Sequence, residues 1–151
     1  MTNMTRYMAP VLALLLLVVV SGCATGPTQS AVSHEQPVRQ DKVVLAVRTS
    51  NHLEVAMLTA RQMLAGEGSF TASRVDIVAC GEAVVALTEG TRTADAVTQT
   101  LASGTRVVAC GITLERKGID PSTLLTGVEV VPNGLTEIIR LQSLGFYSVE
   151  L

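Results

Sequence analysis

The chain has 151 residues, 48% hydrophobic but only 3% aromatic, with eleven Lys/Arg against thirteen Asp/Glu and a formal charge of −2. That length holds one domain's worth of core. With no Trp, two Phe, two Tyr and no basic patch, the chain lacks the stacking surface and cationic stripe of a nucleic-acid binder.

After a polar start, MTNMTRYM, whose one cation is Arg6, Val11 to Val20 run as VLALLLLVVV. Ten helical residues reach about 15 Å, roughly half a bilayer core. The run is too short to span and has the length of a signal-peptide core. Ser21, Gly22 and Cys23 follow directly. This order of apolar run, small residue, glycine and cysteine resembles the lipobox of bacterial lipoproteins. The resemblance implies that residues 1–22 are a signal peptide and that the Cys23 sulfur receives a diacylglyceryl group. Acylation of the new N-terminus by a fatty acid such as palmitate then follows. Two or more chains give lasting attachment at ~0.8 kcal/mol per buried CH₂. Ala24 stands where an aspartate would resemble an inner-membrane retention signal, so the expected address is the periplasmic face of the outer membrane.

Residues 23–40 are then a lipidated N-terminus and tether. Ala24 to Gln40, ATGPTQSAVSHEQPVRQ, is polar, contains proline and has no apolar period. His34 is a solvated residue of that tether. Loss of Arg6 with the signal leaves ten Lys/Arg against thirteen Asp/Glu, a formal charge near −3.

The folded domain is expected over residues 41–151. Lys42 to Val47 (KVVLAV) reads as a strand buried on both faces. Asn51 with Glu54 three residues on fits a capping box for a helix over Leu53 to Ala65. Leu53, Met57, Leu58 and Leu64 lie near one face of that helix, and Gly66 and Gly68 stop it. Arg74 to Ala79 (RVDIVA) is a second strand leading into Cys80-Gly81. A short helix over Glu82 to Thr88 and another over Thr93 to Ala102 follow, with Gly90 and Gly104 as stops. Thr105 to Ala109 (TRVVA) is the third strand and leads into Cys110-Gly111. A helical turn over Thr113 to Lys117 ends at Gly118, and Asp120-Pro121 reads as the cap and first residue of another short turn. Val128 to Val131 is a fourth strand, Leu135 to Leu144 a helix capped by Gly145, and Phe146 to Leu151 a fifth strand. Strand and helix alternate throughout, which predicts an α/β domain around a mainly parallel five-stranded sheet.

The stretch from Val107 resembles the C-terminal half of the DsrE/DsrF-like proteins. The matching positions are Cys110, Gly118-Ile119, Gly127-Val128, Val130-Val131-Pro132, Gly134, Glu137-Ile138, Leu141-Gln142 and Gly145-Phe146. Before it, only the element order and Gly81 to Val84 match. The resemblance implies a three-layer flavodoxin-like fold, homo- or hetero-oligomers and, in some members, a cysteine that carries persulfide sulfur between a donor and an acceptor protein. Other members of the family have no assigned activity.

Both cysteines of the domain sit in one local string, Val-Ala-Cys-Gly, at Val78 to Gly81 and Val108 to Gly111. Each therefore stands where a strand gives way to a helix, at the sheet edge where open α/β folds bind ligands. A helix N-terminus there favours thiolate over thiol, and the following glycine leaves room for approach. Cys110 matches the family's cysteine and is the first candidate persulfide carrier; Cys80 is a weaker one. The plainer alternative for each is a small apolar side chain packed at a strand end. Strand order is not written in the sequence, so a Cys80–Cys110 disulfide stays open: neighbouring strands at about 4.8 Å allow it, and one intervening strand forbids it.

No Walker loop, dinucleotide fingerprint, zinc motif or nucleophile elbow is present, and no cofactor or metal site is expected. His52, Arg48 and Asn51 lie near the same edge. Turn, cap and surface roles explain them, with an anion site as the alternative. Glu137 complements the dipole of the last helix. Three functions remain open: a membrane-anchored sulfur carrier working through Cys110, a non-catalytic oligomeric binding or assembly module, and a binder of small anions at the strand ends.

Overall fold

The computed structural model describes residues 38–151; the expected signal segment 1–22, Cys23, His34 and most of the tether lie outside the described residues. Five strands form one sheet in which every pairing is parallel: β1 (Val38–Val47), β2 (Phe70–Ala79), β3 (Arg106–Cys110), β4 (Glu129–Val131) and β5 (Tyr147–Glu150). Their order across the sheet is β4-β3-β2-β1-β5. The α/β class expected from the alternation, and the three-layer arrangement implied by the resemblance, are the ones observed.

The topology explains the layers. From β1 to β4 the chain steps across the sheet in one direction, through α1 (Ser50–Ala65), a 3-10 segment (Gly81–Leu87), α2 (Ala94–Ala102) and α3 (Gly111–Lys117). Right-handed crossovers taken in one direction place their helices on one face. There Leu53, Met57 and Ala60 of α1, Val84 and Leu87 of the 3-10 segment, Val97 of α2 and Leu114 of α3 pack on Val43, Leu45, Val75, Ile77 and Val107. The β4-to-β5 connection crosses back, so α4 (Gly134–Ser143) lands on the opposite face. Ile138, Leu141 and Phe146 there cover Val44, Ala46, Val78 and Val108. Both faces are thus sealed over β1 to β3, which is why these strands read as nearly continuous apolar runs.

Several boundaries differ from the sequence reading. β1 begins at Val38, inside the expected tether, because Val38, Arg39 and Gln40 pair with Phe70, Thr71 and Ala72 of an equally lengthened β2. Helix α1 begins at Ser50, and its cap is Thr49, whose side chain accepts the His52 N–H at 3.2 Å. The box expected from Asn51 and Glu54 is not formed: Asn51 is inside the helix, and Glu54 pairs with Arg92 at 2.8 Å. Leu58, expected on the buried face, is 51% exposed. Asp120 does cap its turn, accepting the Ser122 N–H at 2.8 Å.

Beneath α4 the alternate residues of β2 and β3 form two rows. Arg74, Asp76, Val78 and Cys80 lie along β2, and Arg106, Val108 and Cys110 along β3, in a register pairing Asp76 with Arg106 and Val78 with Val108. Asp76 is fully buried. A carboxylate there is tolerable only when paired, and it meets Arg74 at 2.9 Å and Arg106 at 3.2 Å. Arg106 reaches on to Glu137 of α4 at 2.8 Å and to Glu129 at 2.8 Å. Glu137, in the first turn of α4 as the dipole argument expects, also holds Arg140 at 2.7 Å. This ion-pair chain locks α4 onto the sheet a few residues from the two thiols.

Candidate functional site

β3 and β4 are neighbours whose following helices leave to opposite faces: α3 to the α1 side, α4 to the other. Adjacent strands that part company in this way open a crevice at their carboxyl ends, where ligands bind in open α/β sheets. Cys110 is the last residue of β3 and stands at that crevice. The β2–β3 register ends with Ala79 opposite Ala109, so Cys80 and Cys110 are the next pair along. The strand-order question is thereby answered: the cysteines are on adjacent strands, in register, on the α4 face. Both are free thiols.

Gly134, the first residue of α4, rests on this pair. Its N–H donates to the Cys110 Sγ at 3.2 Å. A β-carbon at Gly134 would lie 2.6 Å from the Cys80 Sγ and 3.1 Å from the Cys110 Cβ. Only glycine lets the helix start this close. Asn133 sets the start of α4, its side chain accepting the Leu135 N–H at 3.0 Å. The glycines after each cysteine answer to packing as well. A β-carbon at Gly111 would meet the Val131 carbonyl oxygen at 2.9 Å, and Gly81 has φ +57° with the Arg48 carbonyl oxygen 3.0 Å from where its Cβ would stand. Backbone approach, rather than room for a ligand, requires both.

The two thiols are electrostatically unlike. Burial pushes Cys110 up, but hydrogen bonds from the Gly134 N–H, from the Thr113 hydroxyl and N–H and from the Cys80 thiol outweigh it, and the net shift is below the ordinary thiol value. Cys80 is pushed up to about 12, first by burial and then by the charge and hydrogen bonding of Cys110, with Arg48 working against them. Of the two, Cys110 is therefore the thiol that gives up its proton first. A helix N-terminus does favour thiolate at Cys110, as expected. The N–H that reaches it belongs to α4, however, 24 residues away, and Cys80 is shifted the opposite way.

Both sulfurs line an open cleft of ≈ 530 Å³ together with Arg48, Gly81, Ile112, Thr113, Arg116, Lys117, Asn133 and Leu135. Three cations thus surround the thiols; Lys117 is paired with Glu82, and Arg48 and Arg116 form no ion pair among the described residues. A smaller cavity of ≈ 50 Å³ also borders Cys80, lined by Ala46, Val47, Val78, Ile138, Glu150 and Leu151 among others. His52 and Asn51 are exposed and line neither cavity. Thr113, Arg116, Asn133 and Gly134 were not singled out as site residues from the sequence. Gly134 had a signal, as one of the family-like glycines, and Asn133 had a cap-type residue in front of a helix. Among the described residues no group of three or more His, Cys, Asp or Glu could hold a metal ion.

An open parallel α/β domain with two adjacent free thiols at its topological switch point is the class defined by fold and site together. Residues 41–149 match the DsrE/DsrF-like family model, and the chain belongs to that family. No curated protein matches it. Among solved structures it is similar to a protein of unknown function from Methanobacterium thermoautotrophicum, with 27% identity over 74% of this chain and 100% of that one, at a TM-score of 0.65. It is also similar in fold to a conserved protein of unknown function from Bacteroides thetaiotaomicron, with 18% identity over 73% and 95% of the two chains and a TM-score of 0.56. The ychN protein of E. coli shares the fold at 17% identity over 73% and 99%, with a TM-score of 0.56.

Proposed function

We propose that the protein is a sulfur carrier that holds sulfane sulfur as a persulfide on Cys110, anchored by lipid on Cys23 to the periplasmic face of the outer membrane. The observation that carries the chemistry is the Cys110 Sγ, which accepts the Gly134 N–H at 3.2 Å and faces a cleft rimmed by Arg48, Arg116 and Lys117. The thiolate attacks the outer sulfur of a donor persulfide; the new S–S bond forms on Cys110 and the donor leaves as its thiolate. An acceptor thiolate reverses the geometry and takes the outer sulfur away. The Gly134 N–H that would stabilise the thiolate as nucleophile would also stabilise it as the leaving group, so both half-reactions are served by one site. The cationic rim favours donors that carry negative charge, which joins the carrier reading to the small-anion alternative.

The anchor rests on the lipobox-like string Val20-Ser21-Gly22-Cys23. Among the described residues no helix is long and apolar enough to cross a membrane. The test of the chemistry is intact-protein mass spectrometry after incubation with a sulfane donor. A gain of about 32 Da that maps to Cys110 and vanishes in Cys110→Ser supports it, and no gain in either protein refutes it. The test of the anchor is fractionation: Cys23→Ala should leave the membrane fraction.

A second reading has one observation in its favour. Leu135 and Ile139, one turn apart on α4, are 55% and 64% exposed, and Leu144 and Tyr147 beyond the helix are exposed too. Such apolar side chains suit an oligomeric assembly module. A Cys110→Ser variant with undiminished cellular function would favour that reading over the carrier.

A further inference from the structure

The carrier reading leaves Cys80 without a task, although it is the closest chemical neighbour that Cys110 has. We propose that Cys80 is the resolving thiol of this site: it attacks the Sγ of a sulfur-loaded Cys110, closes a Cys80–Cys110 disulfide and expels the outer sulfur as hydrogen sulfide. The inference rests on the reading that Cys110 carries sulfane sulfur, and it turns a simple carrier into a sulfane reductase.

Placement comes first. The cysteines follow the Ala79–Ala109 pair in register, and both meet Gly134 of α4. Paired residues of neighbouring strands lie about 4.8 Å apart, inside the roughly 4.4–6.8 Å between α-carbons that a disulfide requires. Gly134 lies against both sulfur-bearing side chains, so no side chain stands between them. In-register residues on parallel strands hold their β-carbons near the strand spacing, wider than the mean of about 3.8 Å in relaxed disulfides. The bond that closes is therefore tense and readily reduced, as suits a transient link rather than a structural one.

The step balances. The persulfide on Cys110 and the thiol of Cys80 give one disulfide and one H₂S. The Cys80 Sγ–Cys110 Sγ bond forms, and the bond from Cys110 Sγ to the outer sulfur breaks. The departing sulfur takes the electron pair and is reduced to sulfide; the two cysteines are oxidised together, and the Cys80 proton leaves with the product. A dithiol reductant of the thioredoxin class then restores both thiols and is itself oxidised to a disulfide. The charge pattern orders the events. While Cys110 is a free thiolate it keeps Cys80 protonated and inert. Once Cys110 carries the outer sulfur, its Sγ is no longer a thiolate and any charge sits on that outer sulfur in the cleft; burial is then the principal opposition, and Arg48 favours the Cys80 thiolate. Loading of the first sulfur thereby primes the second.

The test uses the full chain, glutathione persulfide as donor, non-reducing mass spectrometry and a sulfide electrode. Wild type is expected to become about 2 Da lighter while releasing about one sulfide per chain, and Cys80→Ser to hold the gain of about 32 Da and release none. Cys80→Ala serves as a second variant should serine disturb the packing. Wild type that keeps the extra sulfur on Cys110, with Cys80 still open to alkylation, overturns the proposal and leaves the carrier reading intact. Failure of Cys80→Ser to take up sulfur sinks the carrier reading instead. Oxidised glutathione then decides the pair by itself: closure to the lighter species keeps Cys80 as the resolving thiol, and a lasting glutathione adduct on Cys110 rejects it.

Discussion

The backbone N–H of Gly134 donates to the Sγ of Cys110 at 3.2 Å, joining the end of β3 to the start of α4 across 24 positions of sequence. Gly134→Ala is expected to break this contact, because the new Cβ would stand 2.6 Å from the Cys80 Sγ and 3.1 Å from the Cys110 Cβ. The helix must back away and take its N–H with it. Overpacking of this kind costs about 1–3 kcal/mol, read by urea denaturation. The Cys110 thiolate loses one of its donors, and its alkylation by iodoacetamide at neutral pH should slow by about tenfold, one unit of thiol acidity. Unchanged alkylation in a folded Gly134→Ala protein would show that the donor is unimportant.

The two thiols should titrate apart. Cys110 is expected to alkylate with a midpoint below 9.0 and Cys80 only as the pH nears about 12. In Cys110→Ser the charge that holds the Cys80 proton is removed, so the Cys80 midpoint should fall, while staying high because burial is the larger cause. A Cys80 midpoint that does not move would mean that the sulfurs do not interact.

The cationic rim is tested by charge rather than by size. Arg48→Gln with Arg116→Gln is expected to slow reaction of Cys110 with the doubly negative Ellman's reagent by about tenfold at low salt. Reaction with the neutral 2,2′-dithiodipyridine should change little. Added salt should erase the difference, since exposed charges are screened over about 10 Å at 0.1 M.

Glu137 provides an acid-stability test. Hydrogen bonds from Arg140, opposed by burial and helped by Arg106, lower its carboxyl from 4.5 to about 2. A carboxylate depressed on folding stabilises the protein fully above pH 4.5 and loses that contribution as the pH falls towards 2. The amount is at most about 3.4 kcal/mol. Glu137→Gln should be less stable than wild type at pH 7, and the gap in urea midpoint should close between pH 5 and 2.

Much of this was legible along the chain and little of it across the chain. KVVLAV and RVDIVA read as buried strands because residues sealed on both faces leave no polar alternation. The two Val-Ala-Cys-Gly strings read as strand ends for the same local reason, and Asp120-Pro121 and Gly145 marked their turns. The adjacency of Cys80 and Cys110 was not legible, since strand order follows from which crossovers reverse. Nor was Gly134 as a donor to Cys110, since nothing local points from one to the other. Thr49 and Asn51 are both good caps one residue apart on either side of Ser50, and the choice fell to how β1 ends. Leu58 lies on the margin of the α1 stripe, where a shift of helix phase decides exposure. Asp76 had a faint signal: a lone acid inside an apolar strand has to find a cation, and the Arg74 two residues before it is one.

The placing of α4 bears on the order in which the molecule is made. Cys80 and Cys110 are joined into the sheet by strands that come early, but the N–H that acidifies Cys110 belongs to a helix near the carboxyl terminus. A ten-residue helix has little stability of its own. It is held by Arg106, by the apolar row under Ile138 and Leu141, and by β5, which pairs with β1 through Val43 to Ala46. Until Tyr147–Glu150 reaches the sheet edge, little holds the Gly134 N–H against the Cys110 Sγ, so acidification of that thiol waits for the last strand of the chain.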